Sequence, residues 1–139
     1  MTAPDAGHRP LVLVAEDEAL IRMLAHETLS DAGFHVIEAA HGGEALDILE
    51  ARPEVSALFS DVDMPVLDGF SLARLIAMRW PHIPVLITSG KTSPALGDLP
   101  AGARFLPKPY RPSALVNELN SLLRCRGGAE CRHRARPFH

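Results

Sequence analysis

Two rhythms of apolar residues alternate along the chain. Residues 10–15, Pro-Leu-Val-Leu-Val-Ala, form an unbroken apolar run that stops at Glu16-Asp17-Glu18. A Val/Leu run without polar alternation suits a strand covered on both faces, as in a parallel sheet. From Ala19 the spacing changes to three and four. Leu20, Ile21, Leu24, Ala25, Thr28 and Leu29 mark the stripe of a helix, with Gly33 where its C-terminus is expected. Residues 34–38 read as a second strand. Residues 43–51 read as a helix built on Ala45, Leu46, Ile48 and Leu49 and closed by Pro53. A third strand, 55–60, delivers Asp61 at its end. Asp68 is predicted to N-cap a third helix, with Leu72, Leu75, Ile76 and Trp80 inward and Pro81 as a stop. Strands follow at 83–88 and 103–106, then an amphipathic helix over 114–123 through Leu115, Leu119, Leu122 and Leu123.

Strand and helix in alternation, with crossovers long enough for right-handed units, specify an α/β fold: a parallel sheet with helices on both faces. One stretch breaks the rhythm. Pro94, Gly97 and Pro100 crowd residues 91–102, so the connection before the fifth strand is expected to be a short, irregular or mobile helix.

Composition narrows the class. The 139 residues are 47% hydrophobic and 22% charged, which marks a globular chain of one domain. No apolar run approaches the ~20 residues of a membrane-spanning helix. The first ten residues lack the apolar core of a signal peptide, so a cytoplasmic protein is expected. Two cysteines make no disulfide framework. The net charge of −3 hides an asymmetry. Residues 124–139 hold five arginines against Glu130, a balance of +4, which leaves 9 basic and 16 acidic residues, −7, in the body. That division sets the expected organisation: an N-terminal extension at 1–9, a folded domain at 10–124 and a basic tail at 125–139.

Chemistry collects where such sheets bind ligands, outside the carboxyl ends of the strands. Strand one ends on Glu16 and Asp17, and strand three on Asp61. Strand four supplies Thr88 and Ser89, and strand five leads to Lys108. Clustered carboxylates repel, and a hard divalent cation, Mg²⁺, is the natural compensation. A metal-bound Asp61 is a candidate nucleophile toward phosphorus, giving an acyl phosphate. The metal and Lys108 are suited to neutralise phosphoryl oxygens, with a Ser89 hydroxyl as hydrogen-bond donor.

These residues resemble a receiver domain of two-component response regulators, of the chemotaxis-regulator kind. The match rests on Glu16-Asp17, Asp61-Val62-Asp63-Met64-Pro65, Asp68-Gly69, Thr88-Ser89-Gly90 and Lys108-Pro109, in that order over about residues 10–124. The resemblance implies a flavodoxin-like, doubly wound five-stranded sheet of order 2-1-3-4-5. It implies that Asp61 takes a phosphoryl group from a sensor histidine kinase or a histidine phosphotransfer protein. Mg²⁺ is then held by Asp17, Asp61 and the backbone carbonyl of Asp63, with Glu16 acting through a water. Ser89 aligns with the switch hydroxyl because it precedes the small Gly90, and Phe105 falls at the switch aromatic. Lys108-Pro109 is expected to be cis. Lys91 and Asp63 flank the acceptor as candidates for tuning phosphate lifetime. Signalling is expected through contact with a downstream target protein, without an output domain, without a membrane and without direct DNA binding. A homodimer is admitted.

The alternatives are weaker. Asp61-Val62-Asp63 suggests an aspartyl-phosphate phosphatase of haloacid dehalogenase type, but those enzymes place Asp-x-Asp early and the metal acids late, the reverse of the order here. A flavodoxin-like nucleotide binder lacks its phosphate loop after Val14. His41-Gly42-Gly43 reads as a turn and cap. His26, His35 and His82 show no metal-ligand spacing and are expected at the surface or an interface. Cys125, Cys131, His133 and His139 have no established zinc spacing.

Overall fold

Five strands and four helices follow one another in a computed structural model that describes residues 9–91 and 99–125. They are β1 Leu11–Ala15, α1 Ala19–Asp31, β2 His35–Ala39, α2 Gly42–Ala51, β3 Ala57–Asp61, α3 Gly69–Arg79, β4 Val85–Ser89, β5 Ala103–Pro107 and α4 Pro112–Cys125. The strands form one sheet in the order β2-β1-β3-β4-β5, every pair parallel. This is the doubly wound, flavodoxin-like arrangement expected. The irregular helix expected within 91–102 falls largely on 92–98, outside the described residues, as does the chain beyond 125.

The period of two explains why the strands read as unbroken apolar runs. On one face Leu13, Ala15, Leu58, Val85 and Ile87 pack with Ala45 and Leu49 of α2 and Leu72, Ala73 and Ile76 of α3. On the other, Val12, Val14, Ala57, Phe59 and Leu86 pack with Ala25 and Leu29 of α1 and Leu115, Leu119 and Leu122 of α4. Each central strand therefore needs apolar side chains in both phases.

Local signals set the element ends. Asp68 caps α3 by accepting from the Ser71 amide at 2.8 Å. His41 caps α2, accepting from the Glu44 amide at 3.1 Å, while the Glu44 carboxylate takes the Ala40 amide. Gly33, just past α1, has φ +100°, the left-handed conformation that glycine adopts without steric penalty. Three strands start later than their apolar runs because nearby groups take the backbone donors. Phe34 N–H bonds the Leu29 carbonyl and Val55 N–H the Arg52 carbonyl, while Pro84 has no donor.

The stripe of α1 needs one correction. Leu20 and Leu24 are 64% and 52% exposed. The buried line runs through Ala25 and Leu29, with Ile21 half-buried. Leu20 and Leu24 each precede a member of that line by one residue, about 100° around the helix.

Candidate functional site

Alternation along the strands also sorts the site residues. Glu16 follows Val14 by two, Asp61 follows Phe59, and Lys108 follows Leu106, so all three share the phase of the α1/α4 face. Ser89 and Phe105 share the phase of Ile87, on the α2/α3 face. The ladders persist beyond the strands to hold this register. Glu16 N–H donates to the Ala39 carbonyl at 3.0 Å, Val62 N–H to Thr88 at 2.9 Å, and Lys108 N–H to Ser89 at 3.1 Å.

The three acids of the sequence meet at the carboxyl edge. Carboxylate oxygens of Glu16, Asp17 and Asp61 lie within 4.8 Å of one another, Glu16 and Asp61 buried and Asp17 exposed. Lys108 Nζ stands 3.4 Å from Asp61 Oδ1. That oxygen is buried and accepts no hydrogen bond among the described residues, so the lysine contact is an ion pair without good hydrogen-bond geometry. Burial, seconded by the Asp61 charge, lifts the Glu16 carboxyl to about 7. Burial likewise holds Asp61 above its ordinary value, with Lys108 and the Asp63 amide pulling the other way.

A pocket of negative charge, with a raised carboxyl pKa and one lysine ammonium against three carboxylates, is short of positive charge. All of its donors are hard oxygens. That donor set fits Mg²⁺, which takes one or two carboxylates and keeps several waters. It does not fit a soft thiolate metal.

Other expected residues are placed less directly. The Ser89 hydroxyl donates to Asp63 Oδ2 at 2.9 Å and accepts the Lys91 amide at 3.2 Å. Asp63 thus reaches the site through its side chain, a contact that no spacing in the sequence announces. Thr88 Oγ1 donates to the Leu106 carbonyl at 2.6 Å, tying β4 to β5. Phe105 is half-buried against the α2/α3 core. Lys108-Pro109 is cis. His35 and His82 are exposed, and His26 pairs with Glu38.

Three contributors were given no role in the sequence reading. A Cβ on Gly69 would lie 2.6 Å from the Asp61 carbonyl oxygen and 2.9 Å from Val62 Cα, so this glycine lets the start of α3 sit against the Asp61 loop. Asp68-Gly69 in the sequence was its signal. Tyr110 packs edge-on against Phe59 at 5.9 Å, its hydroxyl pushed up to about 12 by burial, then by Glu16 and Asp61. Arg22 donates to the Glu16 carbonyl at 2.7 Å. A mid-helix arginine carries no signal of such a contact.

A family model for the response regulator receiver domain matches residues 12–120. The chain belongs to that family. It is 38% identical over 125 residues to the sensor kinase CckA of Brucella abortus (strain 2308), covering 87% of this chain and 13% of the kinase. The response regulator receiver protein CpdR of the same strain is 34% identical over 115 residues, covering 81% of this chain and 95% of CpdR. This chain therefore spans a small part of the first relative and nearly all of the second. The structure of the chemotaxis response regulator CheY4 of Vibrio cholerae superposes with a TM-score of 0.72 at 33% identity, over 83% of this chain and 99% of CheY4. A receiver is a signalling module with a phosphoacceptor role, not a conventional enzyme, and the haloacid dehalogenase reading lapses. Among the described residues of this receiver, no helix is long and apolar enough to cross a membrane.

Proposed function

We propose that Asp61 is the phosphoacceptor of a Mg²⁺-dependent response regulator, charged from a phosphohistidine on a sensor histidine kinase or a histidine phosphotransfer protein. One observation carries the reading: three carboxylates converge within 4.8 Å, and a lysine ammonium stands 3.4 Å from a buried Asp61 oxygen that accepts no hydrogen bond among the described residues.

In the reaction an Asp61 carboxylate oxygen attacks phosphorus, a P–O bond forms, and the P–N bond to the donor imidazole breaks with its electron pair leaving on nitrogen. When bound, Mg²⁺ neutralises phosphoryl oxygens and relieves the repulsion among the acids. Asp17, Asp61 and the Asp63 carbonyl would hold it, with Glu16 acting through water. Lys108 leaves its ion pair with Asp61 for the incoming phosphoryl group. Ser89 exchanges its bond to Asp63 for one to a phosphoryl oxygen, and that movement biases Phe105 on the same sheet face. Lys91, whose amide bonds Ser89, and Asp63 affect phosphate lifetime through the same hydroxyl. The folded unit is residues 10–124, flanked by 1–9 and the basic 125–139. It works in the cytoplasm by contact with a downstream target protein.

The test is mass spectrometry after incubation with a small phosphodonor. The expected result is a gain of one phosphoryl group that needs Mg²⁺ and is lost in Asp61→Asn. No gain, or a gain that persists in Asp61→Asn, overturns the proposal.

A further inference from the structure

Two of the three site acids sit on the short Glu16-Asp17-Glu18 turn. Glu18 is the N-cap of α1 but makes no side-chain cap bond, and the first turn of α1 carries no acid. Within the turn, Glu16 Oε2 accepts the Glu18 amide at 3.1 Å, and Arg22 N–H reaches back to the Glu18 carbonyl at 2.9 Å. The remaining hold comes from outside, beginning with the Glu16 N–H on the Ala39 carbonyl of β2 at 3.0 Å. Arg22, on the second turn of α1, donates from Nη1 to the Glu16 carbonyl at 2.7 Å. Its Nε donates to Glu38 Oε1 at 3.1 Å, and the other Glu38 oxygen lies 2.5 Å from His26 Nδ1.

The resulting brace has three anchors. Glu38 is on β2, in register with Val14 of β1, so its backbone is set by the sheet. Arg22 and His26, one helical turn apart on α1, clasp its two oxygens. A guanidinium is a rigid planar fork, and donors fixed at Nε and Nη1 set the Glu16 carbonyl relative to Glu38. The Arg22 side chain is only 19% exposed, so the fork is largely shielded from competing water.

We propose that Arg22 is a positioning residue for the cation site, holding the Glu16-Asp17 turn so that both carboxylates face Asp61; this rests on the reading that Glu16, Asp17 and Asp61 bind Mg²⁺. A role through charge alone has the opposite consequence. A positive side chain beside an acidic cluster opposes a bound cation, so deleting the charge should tighten Mg²⁺ binding. Deleting a brace should weaken it, by about tenfold or more, as for partners that orient metal ligands elsewhere. The sign of the change separates the two.

The experiment measures the Mg²⁺ dissociation constant by calorimetry for the full chain, Arg22→Ala and Arg22→Lys, with melting temperature in chelator as the check on folding. Arg22→Ala is expected to bind Mg²⁺ about tenfold more weakly. Phosphorylation by a small phosphodonor should need proportionally more Mg²⁺ to half-saturate and reach a nearly unchanged rate at saturation. Arg22→Lys keeps the charge but loses the fork, and should fall between. Unchanged or tighter binding in Arg22→Ala overturns the inference. If Arg22→Ala does not fold, Arg22→Lys decides by the same criterion. A parent chain that binds no Mg²⁺ overturns the underlying reading and this inference with it, a result distinct from normal binding in both variants.

Discussion

Replacing Gly69 by alanine tests whether the close approach of α3 to the Asp61 loop is obligatory. Two effects of known sign compete. Alanine is favoured over glycine in a helix by up to about 1 kcal/mol, so without a steric obstacle Gly69→Ala stabilises. The obstacle is backbone. The new Cβ would meet the Asp61 carbonyl oxygen at 2.6 Å, Val62 Cα at 2.9 Å and the Asp61 carbonyl carbon at 3.1 Å. Non-bonded atoms prefer about 3.5–4.0 Å, so the start of α3 must retreat by close to 1 Å. That retreat strains the Gly69 N–H bond to the Val62 carbonyl, now 3.0 Å. Forced overpacking costs about 1–3 kcal/mol; against backbone that cannot swing aside the upper part, about 2–3 kcal/mol, applies, which leaves a net loss of about 1–2 kcal/mol after the helix gain. In urea, with a slope of about 2 kcal/mol/M, the midpoint should fall by roughly 0.5–1 M. Gly42→Ala is the control, because its Cβ meets the flexible Leu67 side chain at 2.8 Å and should cost less. A Gly69→Ala midpoint equal to or above that of the parent chain would refute the steric argument. The variant should also accept phosphate more slowly, because the Asp61 carbonyl moves with the strain.

Three further outcomes follow from the geometry. Leu119→Ala, at a fully buried position between α4 and the sheet, should cost about 2–5 kcal/mol in chemical denaturation; a loss below 1 kcal/mol would contradict the packing assigned to that face. Thr88→Val deletes the 2.6 Å bond to the Leu106 carbonyl and should cost about 1 kcal/mol with phosphorylation retained, whereas Ser89→Ala, which deletes the bonds to Asp63 and from the Lys91 amide, should cost about as much and also slow phosphorylation. Without Mg²⁺, stability should fall as pH rises from about 4.5 to 7: Glu16, lifted to about 7 in the fold, keeps a proton that the unfolded chain releases, so the native state binds more protons across that window. Glu16→Gln should flatten the slope and raise stability at pH 8, and an unchanged slope in melts across this range would show that Glu16 is not its source.

Much of the fold was legible because its constraints are local or periodic. Residues 10–15 read as a doubly covered strand because both of its faces are buried, the run 55–60 marked a third strand, and Asp68 announced the start of α3 through one side-chain bond. The same periodicity misplaced Leu20 and Leu24, since spacing marks an apolar stripe but not the width of the surface that covers it. Strand starts slipped for a similar reason. Whether Phe34 or Val55 joins a ladder depends on whether its amide is taken by a nearby carbonyl, and apolarity does not report that.

The candidate site divides along the same line. The order of Glu16-Asp17, Asp61, Thr88-Ser89 and Lys108 along alternating strands was enough to bring them to one edge, because parallel strands all end on the same side. Strand-end position alone offered both Thr88 and Ser89, and only the resemblance singled out Ser89. Only the packed sheet turns Thr88 toward the Leu106 carbonyl and Ser89 toward Asp63, since adjacent strand residues face opposite ways and their partners lie on other elements. The same holds for Arg22. Its place on a helix was readable, but its grip on the Glu16 carbonyl exists only once α1 lies beside β2. The sequence by itself determined which groups stand at the carboxyl edge. Tertiary structure decided which of them touch, because contact depends on distances between elements that no spacing along the chain encodes.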